Sequence, residues 1–119
     1  MRWIRANSER FGIHKEAITA LGGSAGSFLS LMLGVANEED YRDELSVEED
    51  PTLAGTHLEE SSSVQAIVDH WGGTTLLSLL TLYDGQSRFD ATDAPVQIVH
   101  GTQDTTVSFV QAEAIRDRY

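Results

Sequence analysis

The stretch Leu21-Gly22-Gly23-Ser24-Ala25-Gly26 constrains the fold more than any other part of the chain, because it sets a G-x-S-x-G pattern between two apolar runs. Residues 17–21 (Ala-Ile-Thr-Ala-Leu) predict a short buried strand, and residues 27–33 (Ser-Phe-Leu-Ser-Leu-Met-Leu) predict a buried helix. A strand that turns straight into a helix forces the residues two before and two after the turn residue into near contact. A side chain at either place is expected to clash, and Gly22 and Gly26 stand there, with Gly23 beside the serine. A serine hydroxyl is a poor nucleophile, and chemistry that uses one holds it on a sharp turn where a base can reach it. Ser24 is therefore the candidate nucleophile, at a backbone cost of order ~1–3 kcal/mol that only a well-packed surround sustains. Ala25 is small and leaves its own N–H free for an oxyanion, while the positive end of the following helix favours negative charge beside Ser24. A serine that merely caps the helix satisfies the same pattern.

At 119 residues and 40% apolar content the chain is one domain or part of one, with enough material for a core. No apolar run approaches a membrane span, and the start Met1-Arg2-Trp3-Ile4-Arg5 has no apolar leader and reads as the middle of a helix, so the natural start is expected upstream. Without cysteine there is neither a disulfide framework nor a thiolate metal site, and neither cellular location nor oligomeric state is legible. The formal charge of -11 excludes nucleic acid and anionic membrane as natural partners, since phosphate is repelled. The acid is concentrated in residues 37–63, where Glu38, Glu39, Asp40, Asp43, Glu44, Glu48, Glu49, Asp50, Glu59 and Glu60 are offset only by Arg42. This segment lacks a sustained period and reads as an exposed excursion, with a short helix over 38–44. The calcium-loop spacing D-x-[DN]-x-[DN]-G is absent, so no metal and no cofactor is expected.

Residues 2–11 predict one helix, with Ile4 and Phe11 beside Trp3, and with Arg5, Glu9 and Arg10 facing solvent. Gly12 followed by Ile13 is the pattern of a left-handed helix stop. The β-branched run 64–70 predicts a second buried strand, whose end carries Asp69, His70 and Trp71 at the edge where open α/β sheets bind ligands. A leucine-rich helix is expected over 74–83. Pro95 then opens a third strand, 96–100, which runs into Gly101-Thr102-Gln103-Asp104. A final helix follows Ser108, whose spacing to Gln111 is that of a capping box, with Phe109, Ala112, Ile115 and Tyr119 on one face and the chain ending in helix. Strands alternating with helices give the fold class: α/β, a three-layer parallel sheet with crossover helices. Three such strands leave faces and edges that further strands are expected to cover.

The residues carrying these elements resemble the C-terminal half of an α/β-hydrolase, and are most similar to bacterial carboxylesterases and lipase-like esterases with a Gly-Gly-Ser-Ala-Gly elbow. Arg10-Phe11-Gly12-Ile13 through Gly26, Val64 to Gly72 and Pro95 to Val107 carry the likeness, which covers most of the chain outside the acidic excursion. The resemblance implies an incomplete α/β-hydrolase domain over 1–119, Ser24 as nucleophile, the Ala25 N–H as one oxyanion donor and Asp104, within His100-Gly101-Thr102-Gln103-Asp104-Thr105-Thr106-Val107, as the triad acid. Chain order supports that last role, since serine precedes acid in this fold.

Three departures stand out. The family's histidine follows its acid, whereas His14, His57, His70 and His100 all precede Asp104. The second oxyanion donor comes from an HGG-type loop, which does not occur before Arg2, and the proline after the acid segment is Ser108 here. The expected activity is hydrolysis of small carboxylic esters through an acyl-enzyme, by a protein of which this chain is a fragment without the catalytic histidine. A serine peptidase of prolyl-oligopeptidase type shares the elbow and acid segment. A non-catalytic acidic interaction module accounts for the missing base.

Overall fold

The computed structural model describes residues 1–38, 40, 45–73, 85 and 87–119. Two short helices, α1 (Arg2–Ala6) and α2 (Ser8–Phe11), lead to strand β1 (Thr19–Gly23) and helix α3 (Ala25–Val35). A 3-10 turn (Pro51–Leu53) lies in the acidic excursion before β2 (Ala66–His70), β3 (Val96–Val99) and α4 (Val110–Arg116). The strands form one parallel sheet in the order β1-β2-β3. The leucine-rich helix expected over 74–83 lies outside the described residues, as does nearly all of the short acidic helix expected over 38–44. No helix among the described residues is long and apolar enough to cross a membrane.

Register determines which residues share a face. Ala20 pairs with Ile67 and Ile67 with Val96, while Gly22 pairs with Asp69 and Asp69 with Ile98. This face meets α3 through Phe28, Leu31 and Val35, and the same core takes in Ile18, Val64, Ala94 and Ile115 of α4. Gly34 lets α3 approach the sheet closely, since a Cβ there would stand 1.9 Å from Ile67 Cδ1. On the opposite face Leu21 is 64% exposed. Leu29 is likewise exposed, so α3 is less uniformly buried than its composition predicts.

Several boundaries depart from the sequence reading, including β2, which starts at Ala66 and not at Val64, and β3, which ends at Val99 and not at His100. β1 starts two residues late and continues through Gly22 and Gly23, because pairing with Asp69 and His70 carries the ladder up to the serine. The first helix is broken at Asn7 (φ -107°, ψ 12°), whose Nδ2 donates to the Trp3 carbonyl at 2.9 Å, a local bond that competes with helix continuation. Gly12 does stop α2 in the left-handed region (φ 65°), with Ile13 N–H donating to the Ser8 carbonyl and Gly12 N–H to the Glu9 carbonyl. At the C-terminal end, α4 stops at Arg116, and its cap position is Phe109, which makes no side-chain cap bond, so the Ser108–Gln111 box does not open the helix.

Arg5 also differs from expectation. Its side chain is not solvent-facing: the residue is 4% exposed, and the guanidinium donates to the Ser61 carbonyl at 2.7 Å and the Ser63 carbonyl at 2.9 Å. It thus ties α1 to the segment entering β2. Trp3 and Phe11, by contrast, remain about half exposed and pack on each other with ring centroids 5.7 Å apart.

Candidate active site

Ser24 stands where β1 becomes α3, with φ 54° and ψ -119°, outside the regions that L-residues favour. Its N–H donates to the His70 carbonyl at 3.0 Å, extending the β1–β2 ladder by one bond, and its carbonyl accepts from Ser27 and Phe28 N–H at the start of α3. The backbone of Ser24 is therefore held on both sides. Its side chain makes no cap bond, which removes the plain N-cap reading of this serine. Ala25 N–H makes no backbone hydrogen bond among the described residues, and both Ser24 and Ala25 are exposed.

The glycines around the serine have unequal roles. A Cβ on Gly22 would lie 2.1 Å from the Gly26 carbonyl carbon and 2.5 Å from Ser27 N, so only glycine fits. At Gly26 a Cβ would meet nothing within 4 Å, which corrects the expectation that both places exclude a side chain. The crowding is one-sided because the Cβ position at Gly26 faces away from β1. Gly23 lies under the indole of Trp71, whose Cζ2 would be 2.8 Å from a Cβ there.

Beneath the turn, Asp69 is fully buried. Its Oδ1 accepts from the Ser27 hydroxyl and from Gly72 N–H, the latter at 2.8 Å, whereas Oδ2 has no partner among the described residues. Gly72 is needed here too, since a Cβ would stand 2.4 Å from both Asp69 Oδ1 and Ser27 Oγ. The strand-end position of Asp69 was legible; its bond to Ser27 was not, because a serine in a helical run carries no sign of a partner 42 residues away.

Asp104 lies past β3 in a tight turn. Its Oδ1 accepts from Thr106 and Val107 N–H, both at 2.8 Å, leaving Oδ2 as the freer oxygen. These two N–H groups, Val107 first, and then the neighbouring His100, hold the carboxyl below its ordinary pKa. A cleft of about 280 Å³ brings the two halves together: Ser24, Ala25 and Phe28 line one side, and Thr106, Val107 and Gln111 the other.

No histidine lines that cleft. His100 is 1% exposed in its side chain, and its Nε2 lies 2.8 Å from the Val107 carbonyl and 3.7 Å from Asp104 Oδ2. A carbonyl can only accept, so Nε2 carries the proton and donates it to Val107, and the longer approach to Asp104 is not a hydrogen bond. His70 contributes its backbone carbonyl to Ser24, and its ring packs on Trp71. His57 faces Glu59 in the excursion, with Nδ1 3.6 Å from Oε1.

The BD-FAE family model matches residues 1–88. The chain belongs to the BD-FAE family. Among solved structures this BD-FAE chain is similar to a truncated form of a carbohydrate esterase from gut microbiota, with a TM-score of 0.71 at 22% identity over 99% of this chain and 52% of that one. It is also similar to Thermogutta terrifontis esterase 2 phosphoramylated by tabun, with a TM-score of 0.61 at 26% identity over 98% of this chain and 42% of that one. The BD-FAE chain thus spans about half the length of the solved structures it matches, and its fold is a partial α/β-hydrolase-like fold. No curated protein matches its sequence.

Proposed function

We propose that residues 1–119 form part of one catalytic domain of a carboxylic-ester hydrolase, in which Ser24 is the nucleophile, Asp104 the triad acid and Ala25 N–H one oxyanion donor. The observation that carries this reading is the strained, doubly anchored turn at Ser24, with an uncommitted hydroxyl at the head of α3, facing the Asp104 turn across one cleft. Strain of this kind persists only where the surround over-determines it. The esterase neighbours support the choice of an ester over other acyl substrates.

In the mechanism, Ser24 Oγ attacks the ester carbonyl carbon and gives its proton to an imidazole. Negative charge builds on the carbonyl oxygen, where Ala25 N–H and the positive end of α3 stabilise it. Collapse expels the alcohol, which takes up the proton, and water then releases the acid by the same steps in reverse. Asp104 Oδ2, left free by the two N–H groups that occupy Oδ1, orients the imidazole and favours its charged form. None of this chain's histidines fills the base role from its place in the fold, so the imidazole belongs to sequence outside these residues. The isolated chain is then a poor catalyst.

Fluorophosphonate labelling tests this reading, and an esterase neighbour that is phosphoramylated by tabun makes an organophosphorus probe apt. A protein extended in both directions is expected to label at Ser24, with no label in Ser24→Ala. A folded, extended protein that stays unlabelled overturns the assignment. That result favours the second reading, a non-catalytic module, for which the absence of histidine from the cleft speaks.

A further inference from the structure

His100 follows β3 directly, and its side chain is almost wholly buried although it belongs to neither strand nor helix. Nε2 lies 2.8 Å from the Val107 carbonyl, whereas Nδ1 is buried without a hydrogen-bond partner among the described residues. Hydrogen on Nε2 pairs one ring nitrogen; hydrogen on Nδ1 would leave both unpaired, so the Nε2–H form is the one this site selects. The ring also meets Phe109, the residue before α4, edge to face at 5.9 Å between centroids and 82° between planes. Val107 carries this anchorage to Asp104. Its carbonyl accepts from His100, and its N–H donates to Asp104 Oδ1 at 2.8 Å, so the imidazole and the carboxylate grip one residue at its two ends. Around them Gly101, Thr102, Gln103, Thr105 and Thr106 are exposed, and packing alone does little to hold the turn.

Resting on the reading of Asp104 as triad acid, we propose that His100 is the positioning residue for that carboxylate: its buried Nε2–H, bonded to the Val107 carbonyl, closes the turn so that Oδ1 stays with the Thr106 and Val107 N–H groups and Oδ2 is left to the catalytic imidazole. His100 touches neither substrate nor reacting atoms in this role and acts through Val107. Its commitment to a carbonyl is also what keeps it from serving as the base, although it stands near the acid. A turn that holds two N–H groups on one carboxylate oxygen favours the ionised form, in keeping with the lowered pKa of Asp104.

Leucine and glutamine are both close to histidine in size, and only glutamine carries an N–H donor at the reach of Nε2, so His100→Leu and His100→Gln separate the hydrogen bond from the filling of space. In the full chain, the Asp104 carboxyl is titrated through its carbon NMR signal and the Thr106 and Val107 amides are followed by hydrogen exchange. His100→Leu is expected to raise the Asp104 pKa toward the ordinary 3.8 and to speed exchange at Val107, while His100→Gln stays nearer the parent in both. Glu113 and Arg116, the charged groups that line the groove beside the imidazole, are the same in all three proteins. An Asp104 pKa that does not move in His100→Leu, or that moves equally in both variants, overturns the proposal. The parent chain supplies a test that needs no variant: nitrogen NMR of the imidazole is expected to show hydrogen on Nε2, coupled across the bond to the Val107 carbonyl carbon, and hydrogen on Nδ1 overturns the proposal even where both variants unfold. In the protein extended in both directions, His100→Leu is expected to slow fluorophosphonate labelling of Ser24 about 10- to 100-fold, with partial recovery in His100→Gln; unchanged labelling overturns the positioning role. An extended parent that never labels, beside a donor-dependent Asp104 pKa, would remove the nucleophile and leave the hold on the carboxylate in place.

Discussion

The Ser27 hydroxyl donates to buried Asp69 Oδ1, the same oxygen that accepts Gly72 N–H, so one carboxyl joins the first turn of α3 to the exit of β2 directly below Ser24. Asp69→Ala strands both donors, each of which costs roughly 1–3 kcal/mol when left unsatisfied in the interior. The expected loss is about 2–5 kcal/mol, read as a lower urea midpoint at unchanged slope. Ser27→Ala keeps the carboxyl bonded to Gly72 and is expected to cost about 1 kcal/mol. Equal losses in the two variants would show that Asp69 acts through something other than this pair of bonds.

Gly22 and Gly26 look equivalent in the motif and are not equivalent in the fold. Gly22→Ala places a methyl 2.1 Å from the Gly26 carbonyl carbon, a contact that backbone must move to relieve. Overpacking of this severity costs about 1–3 kcal/mol or more, and the Ser24 turn shifts with it. Gly26→Ala meets nothing within 4 Å and lies in α3, where alanine gains up to ~1 kcal/mol over glycine. Thermal unfolding is expected to show a lower midpoint for the first variant and an equal or higher one for the second.

What sequence revealed and what it hid divide along the range of the interactions. The three strands, the turn at Ser24 and the stop at Gly12 were legible because alternation, β-branched runs and glycine placement act within a few residues. Asp104 was placed correctly in the turn after the third strand because its partners, Thr106 and Val107, are local. Arg5 was misread because its acceptors are backbone carbonyls 56 and 58 residues away, and a carbonyl leaves no mark in a residue pattern. The left-handed backbone of Trp71 (φ 44°) was hidden for a related reason: Gly72 and Gly73 announce a turn, while the left-handed residue is the tryptophan before them.

Arg5 offers a separate test of how α1 is attached. Its guanidinium reaches two carbonyls at once and is 4% exposed, which suits a planar fork and not a single ammonium. Arg5→Ala leaves those carbonyls without their donors and is expected to destabilise by about 1.5–3 kcal/mol. Arg5→Lys is expected to recover less than half of that loss. Hydrogen exchange should report the same event locally, through faster exchange in the first helix and in the residues entering β2. Full rescue by lysine would mean that charge alone holds the segment.

Asp104 gives the chain a pH dependence whose sign follows from its partners. The Val107 and Thr106 N–H groups, and after them His100, favour the ionised carboxyl and lower its pKa from the ordinary 3.8. Above that ordinary value the group is ionised whether the chain is folded or not, and the folded state has its full advantage. As pH falls below it, the unfolded chain takes up a proton before the folded one does. Stability therefore declines with falling pH until the folded carboxyl is itself protonated. Asp104→Asn cannot titrate, so it should be less stable than the parent at about pH 5 and approach the parent as pH drops toward about 2. Chemical denaturation of both proteins across that range measures the difference directly, with the shifts common to Glu49, Asp50 and Asp90 cancelling between them. A stability gap that stays constant with pH would show that Asp104 acts in this turn as a hydrogen-bond acceptor without regard to its charge.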